Sequence, residues 1–334
     1  MNNMNFNHII GHKRIIENFK NAVINENIAH SYIFEGPKSI GKKTTAIALA
    51  KTLLCEEKQE EPCGICTSCM QFNNENQPDF NIISTEDSSI KVEEVRDLEK
   101  DIGIRPFSGN RKIYIICQAE KMTVSAQNSF LKTLEEPPEY AVIILTTENK
   151  DALLSTIVSR CQTIVFKPTS ASRIEQFLID EFNETKEDAS FIANFSNGIV
   201  GRAVMLSQNE KFKTLREQTI KAIDSTVMES KEKVFTTREF FEKNKDDIDE
   251  ILDIILFYFR DMVIYGETGN DKYIINKDKI DFIKTHYNQL EKSALHDIIE
   301  TVLDTKDNID LKVNFSLNIE MMLLEIQEGI KWQL

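Results

Sequence analysis

Four cysteines, Cys55, Cys63, Cys66 and Cys69, are spaced C-x7-C-x2-C-x2-C. Thiolate sulfur is a soft ligand, and four thiolates close a tetrahedral site around Zn2+ with no position left for substrate. The spacing therefore predicts a structural zinc rather than a catalytic one. Sites of this type contribute roughly 10–16 kcal/mol of apparent binding energy to local folding, so the segment is expected to depend on its metal. Gly64, Thr67, Ser68 and the run Glu56-Glu57-Lys58-Gln59-Glu60-Glu61 are polar surroundings, which argues against four unrelated buried thiols. The same acidic run would repel phosphate and ranks a nucleic-acid-binding zinc ribbon below the structural reading.

A second group of residues concerns phosphate. Gly36-Pro37-Lys38-Ser39-Ile40-Gly41-Lys42 satisfies the first seven positions of the phosphate-loop pattern. Backbone N–H groups there would cradle a polyphosphate, with Lys42 reaching the terminal phosphates. The eighth position should be a hydroxyl that ligates magnesium, and here it is Lys43. Thr44 follows one place late, an offset that turns it by about 100° on a helix. A nucleotide-splitting site also needs an acid to hold the metal and a carboxylate to orient water, at the end of the next core strand. Here Ile113-Tyr114-Ile115-Ile116 runs into Cys117-Gln118, with Glu120 the nearest acid. The set predicts no ATP hydrolysis, while Lys42 leaves nucleotide binding open. Cys117, at a strand end, reads as a small buried residue.

These loops need a sheet to carry them. Tyr32-Ile33-Phe34, a glycine-bearing loop and Ala46-Ile47-Ala48-Leu49-Ala50 read as strand, loop and helix. Ile113–Ile116 and Val142-Ile143-Ile144-Leu145 are continuous apolar runs of strand length, separated by a helical stretch over 123–135. Buried parallel strands joined by crossover helices fit that alternation. Pro168 ends the last strand pattern, Thr163-Ile164-Val165-Phe166, and beyond it the chain reads as helices. The expected organisation is an α/β domain over 1–168, a small helical domain over 169–208 and an all-α domain over 209–334. In the last, Ile251, Ile254, Ile255, Tyr258, Phe259 and Met262 share one helix face, expected to be bundle core.

Composition bounds the functions available. The 334 residues, 41% hydrophobic, can fill more than one core. A net charge of −14 repels the phosphate backbone on average, so any DNA contact must be local or supplied by partners. The start lacks a basic segment followed by an apolar core, and no apolar run reaches membrane-spanning length, so a cytoplasmic protein with reduced cysteines is expected.

Several segments together resemble the bacterial clamp-loader family within the AAA+ proteins. They are His30-Ser31-Tyr32-Ile33-Phe34-Glu35-Gly36-Pro37 leading into the phosphate loop, the four-cysteine insertion, Asn128-Ser129-Phe130-Leu131-Lys132-Thr133-Leu134-Glu135-Glu136-Pro137-Pro138, and Ser159-Arg160-Cys161. The resemblance implies an AAA+ phosphate-loop domain with a parallel sheet and a zinc module, then a helical lid and a helical collar. It implies a non-hydrolysing stator, since the family's motor subunits keep an acidic pair where this chain has Cys117-Gln118. Arg160 would project as an arginine finger into a neighbour's ATP site, Arg202 would be the second sensor arginine, and Thr146 and Thr147 lie in the region of the first sensor. The implied partners are the gamma or tau motor subunits, the delta subunit and, through the complex, the beta sliding clamp and primed DNA. Polymerase activity would belong to the DNA polymerase III holoenzyme. Two rivals remain: an ATP-hydrolysing motor of the gamma or tau type, against which Lys43 and Cys117-Gln118 speak, and a nucleic-acid-binding module built on the cysteines.

Overall fold

The computed structural model describes residues 5–85, 87–229 and 234–330. Its first compact unit comprises Met1–Phe177 and Ser196–Arg202, its second Leu178–Phe195 and Ala203–Leu334.

The first unit is built on five parallel strands, β1 (Ser31–Glu35), β2 (Phe80–Ile83), β3 (Lys112–Ile116), β4 (Ala141–Thr147) and β5 (Gln162–Val165), in the order β2-β3-β4-β1-β5. The apolar runs follow from burial on both faces. Successive side chains alternate between faces, so Tyr32, Phe34, Ile113, Ile115, Val142 and Ile144 enter one core, while Ile33, Tyr114, Ile116, Ile143 and Leu145 enter the other. Helices α1 (Lys13–Ile24) and α2 (Lys42–Leu54) cover the first face through Phe19, Ile47 and Leu49. The short α3 (Thr67–Asn73) follows α2 and is anchored by Phe72, whose ring lies 4.6 Å from that of Phe80. Helices α4 (Val92–Ile102), α5 (Val124–Glu135) and α6 (Ser155–Val158) cover the second face through Val95, Leu98, Phe130, Leu134 and Ile157.

Five elements of this unit were not expected from the sequence: strand β2 and helices α1, α3, α4 and α6. Buried Asp79 ties the loop after α4 to the start of β2: its carboxylate accepts from the backbone N–H groups of Phe107 (2.6 Å) and Ser108 (3.0 Å).

Beyond β5 the chain is helical, as expected: α7 (Ala171–Phe182), α8 (Lys186–Phe195) and α9 (Val200–Ser207), then α10 (Glu210–Met228), α11 (Val234–Lys243), α12 (Ile248–Thr268), α13 (Ile280–Gln289), α14 (Ala294–Asp310) and α15 (Phe315–Glu328). The expected apolar face of α12 is bundle core, with Ile251, Ile254, Ile255, Tyr258, Phe259 and Met262 all buried. Several polar groups enclosed with it find partners. Asp261 accepts from the backbone N–H groups of Ile275 and Asn276, and Arg216 donates twice to Asp278 at 2.7 and 3.0 Å while lying over the Phe191 ring. No helix among the described residues is long and apolar enough to cross a membrane.

Candidate functional site

The phosphate loop joins the C-terminal end of β1 to α2, and the neighbouring strand β4 ends beside it, with Gly36 N–H donating to Thr147 O at 3.1 Å. Gly41 is the N-cap of α2. Lys42 is nearly enclosed, and its ammonium donates to the carbonyls of Gly36 and, at 2.8 Å, Pro37. Burial lowers its pKa, opposed by the charges of Glu148 and Glu120. Lys43 is exposed and Thr44 half-buried. His12, which the sequence reading missed, closes the loop's other side: Nε2 donates to Ile40 O at 3.0 Å, and its ring packs edge-on against Phe166 at 4.8 Å. Burial holds this imidazole below its usual range, with the Ile40 carbonyl acting in the opposite direction.

Cys117 and Gln118 stand at the end of β3, on the same edge of the sheet as the loop. Cys117 is buried, and burial pushes its thiol up, against the pull of Lys43 and a hydrogen bond with Thr146. Thr146 Oγ1 accepts from Gln118 N–H at 3.2 Å. Thr147 Oγ1 donates to Asn149 O and accepts from Asn149 N–H, at 3.0 and 3.2 Å. Glu120 lies two residues beyond Gln118, its Oε1 accepting from Glu148 N–H at 3.4 Å. Arg202 sits in the first turn of α9, a segment held to the loop where Gly201 N–H donates to Ser39 O at 3.0 Å. A side chain at Gly201 would place its Cβ 2.6 Å from that carbonyl oxygen, so only glycine allows the approach.

The cysteines converge from two helix ends. Cys55 is the C-cap of α2, Cys66 the N-cap of α3, and Cys69 lies in the first turn of α3. The four sulfur atoms all lie within 4.8 Å of one another. A tetrahedron with Zn–S bonds of about 2.3 Å has edges of about 3.8 Å, so small side-chain adjustments bring all four into reach of one ion. Backbone N–H groups already point at the sulfurs: Cys63 to Cys55 Sγ and Cys66 to Cys63 Sγ at 3.3 Å, and Cys69 to Cys66 Sγ at 3.4 Å. Gly64, at φ +76°, makes the turn that sets Cys63 and Cys66 on one side. Burial raises the Cys55 and Cys69 thiols, while the N–H groups of Ile65 and Cys66 lower Cys63 to about 7. The donor set fits a closed, soft metal site, and the cluster can hold zinc.

Arg160 occupies the other edge of the sheet. It precedes β5, whose first residue, Gln162, pairs with Tyr32 near the start of β1, whereas the phosphate loop follows the end of that strand. Five residues of strand span roughly 16 Å, so Arg160 and Lys42 are separated by the depth of the sheet. The guanidinium is one-third exposed: Nη1 donates to Thr156 O (2.8 Å) and Ser159 Oγ (3.3 Å), and Nη2 to Glu135 Oε1 (2.6 Å). The sequence reading missed Glu148, and it quoted Glu135 within the run 128–138 without pairing it with Arg160. For Glu135 a signal existed: an acid in the last turn of a helix opposes the helix dipole and calls for a cation nearby.

Family models match most of the chain. One described as DNA polymerase III, delta subunit, covers residues 11–170, and one described as DNA polymerase III, delta subunit, C terminal, covers 210–328. The chain is 33% identical over 319 residues to the DNA polymerase III subunit delta' of Bacillus subtilis (strain 168), spanning 95% of this chain and 96% of that protein. It is 29% identical over 319 residues to DNA polymerase III subunit tau of the same organism, spanning 88% of this chain and 56% of tau. Among solved structures, a DNA polymerase III gamma subunit-related protein of Thermotoga maritima is similar at a TM-score of 0.45 and 18% identity, over 94% of this chain and 99% of that one. With a delta' subunit matching at one-third identity over nearly its whole length, the chain belongs to the delta' family of DNA polymerase III clamp-loader subunits.

Proposed function

We propose that this clamp-loader subunit is a stator that does not hydrolyse ATP and that donates Arg160 to the ATP site of a neighbouring motor subunit. The observation that carries this reading is the end of β3, where a thiol and an amide, Cys117 and Gln118, stand in place of carboxylates. Magnesium lacks both its acidic ligand there and a hydroxyl at position 43, and Gln118 cannot act as the carboxylate that orients water. The position of Arg160 supports the second half. Being on the opposite edge of the sheet from Lys42, it serves a nucleotide only if that nucleotide belongs to another subunit. A guanidinium stabilises charge on a transferring phosphoryl group, and its exposure suits delivery in trans.

In this reading Cys55, Cys63, Cys66 and Cys69 hold a structural zinc that fixes the end of α2 against α3. Gly36, Gly41, Lys42 and Thr44 remain as a phosphate loop without hydrolysis, with Thr146, Thr147 and Arg202 as sensor-like residues around it. Residues 1–168 form the AAA+ domain, 169–208 the lid and 209–334 the collar that joins the gamma or tau and delta subunits. The beta clamp and primed DNA are met through the assembled loader. The likeness to tau favours one competing reading, a motor that turns over ATP itself.

A reconstitution separates the two. The purified chain should show no ATP turnover, and a loader carrying Arg160→Ala should lose clamp- and DNA-stimulated ATPase as the receiving site slows by on the order of 10³. Turnover by the isolated chain that Lys42→Ala abolishes would establish the motor reading. Unchanged stimulated ATPase with Arg160→Ala would remove the finger.

A further inference from the structure

Glu135 and Arg160 form a surface ion pair whose acid stands where a helix end disfavours it. Glu135 is the last residue of α5, where the helix dipole is negative and a carboxylate is disfavoured, and Glu136 follows as the C-cap. Two acids at a helix C-terminus break a local rule, and such breaks mark places where something other than stability has been selected. The carboxylate's partner is a guanidinium that is also held by its own chain, at Thr156 O and Ser159 Oγ. Glu135 and Arg160 come from different elements, α5 and the segment after α6, and meet at 2.6 Å.

We infer that Glu135 is a positioning residue for Arg160, a brace that fixes the guanidinium on the sheet edge from which it reaches a neighbouring subunit's nucleotide. This rests on the finger reading above. A long arginine side chain loses rotamer freedom when it is held, and anchoring it before the subunits meet spares that loss when phosphate is engaged. The three hydrogen bonds account for three of the five guanidinium N–H donors. The others stay available to phosphate oxygens while the brace is in place, so Glu135 orients the finger without competing for all of it.

The test uses the assembled loader with wild type, Glu135→Ala, Glu135→Gln, Glu135→Asp, Arg160→Ala and the double variant Glu135→Ala/Arg160→Ala. Pre-steady-state phosphate release is followed with clamp and primed DNA present. Expected is a fall of roughly ten- to a hundredfold in the receiving site's rate for Glu135→Ala, with the KM for ATP unchanged. Glu135→Asp should recover more than Glu135→Gln because it restores the charge, and Glu135→Ala should add nothing once Arg160 is gone. The thermal midpoint of the free subunit is measured for each variant, and the comparison of Asp with Gln stands even where Ala folds poorly. A normal rate for Glu135→Ala beside a slow Arg160→Ala would overturn the brace and leave the finger standing. So would a rate above wild type, which would make the carboxylate a competitor, or an additive loss in the double variant. If Arg160→Ala itself is normal, the finger reading fails, and the brace with it.

Discussion

His286 lies fully enclosed in the C-terminal unit, with Nδ1 2.8 Å from the Tyr258 hydroxyl and Nε2 2.9 Å from Asp224 Oδ1. The neutral ring satisfies both contacts: Nε2–H donates to the carboxylate and Nδ1 accepts from the phenol. Burial lowers its pKa from the ordinary 6.5, and Asp224 opposes that only in part, because its own side chain is 39% exposed and screened by water. The unfolded chain therefore takes up the proton first. The group's contribution to stability is complete above 6.5 and is lost as pH falls through the lower folded value. Urea unfolding should show the midpoint of the C-terminal unit declining as the pH falls below 6.5, and His286→Gln should flatten that decline. An equally steep decline in the variant would assign it to carboxylates elsewhere. Residues of this kind were the hardest to read from sequence, since neither Tyr258 beside His286 nor Glu135 beside Arg160 is a neighbour along the chain. Lys42 and the cysteines were legible because their chemistry depends on short, fixed spacings.

At the scale of elements the cysteine cluster is the clearest test. Helix α3 has seven residues, too few to hold itself in water, and Phe72 against Phe80 is its main apolar anchor. Metal should therefore account for most of the order between Cys55 and Cys69. Elemental analysis is expected to find one zinc per chain, lost in Cys66→Ser. Hydrogen exchange over 55–74 should then rise while β1, β3 and β4 stay protected. A zinc content near zero in metal-replete protein, or unchanged protection in the variant, would leave the sulfurs as four packed thiols. The same scale explains which elements the sequence disclosed. Strands β1, β3 and β4 are almost wholly buried and so carry continuous apolar runs. Strand β2 has four half-buried residues at the sheet edge with Asn81 among them, and it presents no run to notice. Helix α4 is amphipathic but rich in acids, and its core contacts are Val95, Leu98 and Ile102 with partly buried Val92.

For the whole molecule, charge decides how DNA is met. With 54 acidic against 40 basic residues, the mean field of the free chain opposes a polyanion, and the acidic run beside the cysteines adds to it locally. A protein that binds DNA through phosphates releases counterions, and with six to ten contacts it loses about 10³ to 10⁵ in affinity between 50 and 200 mM salt. In this chain the 40 basic residues that could displace those counterions are outnumbered by 54 acids. Fluorescence anisotropy with primed DNA should accordingly detect little binding by the isolated chain at about 50 mM salt and no steep dependence above it. The assembled loader should bind, with its salt dependence set by the partner subunits. Zinc removal then becomes the discriminating step. If the isolated chain does bind DNA tightly, and chelation of the metal abolishes it, the cysteine module reads nucleic acid after all. If binding appears only on assembly and survives Cys66→Ser in the assembled complex, the module is structural and the chain meets DNA through its neighbours.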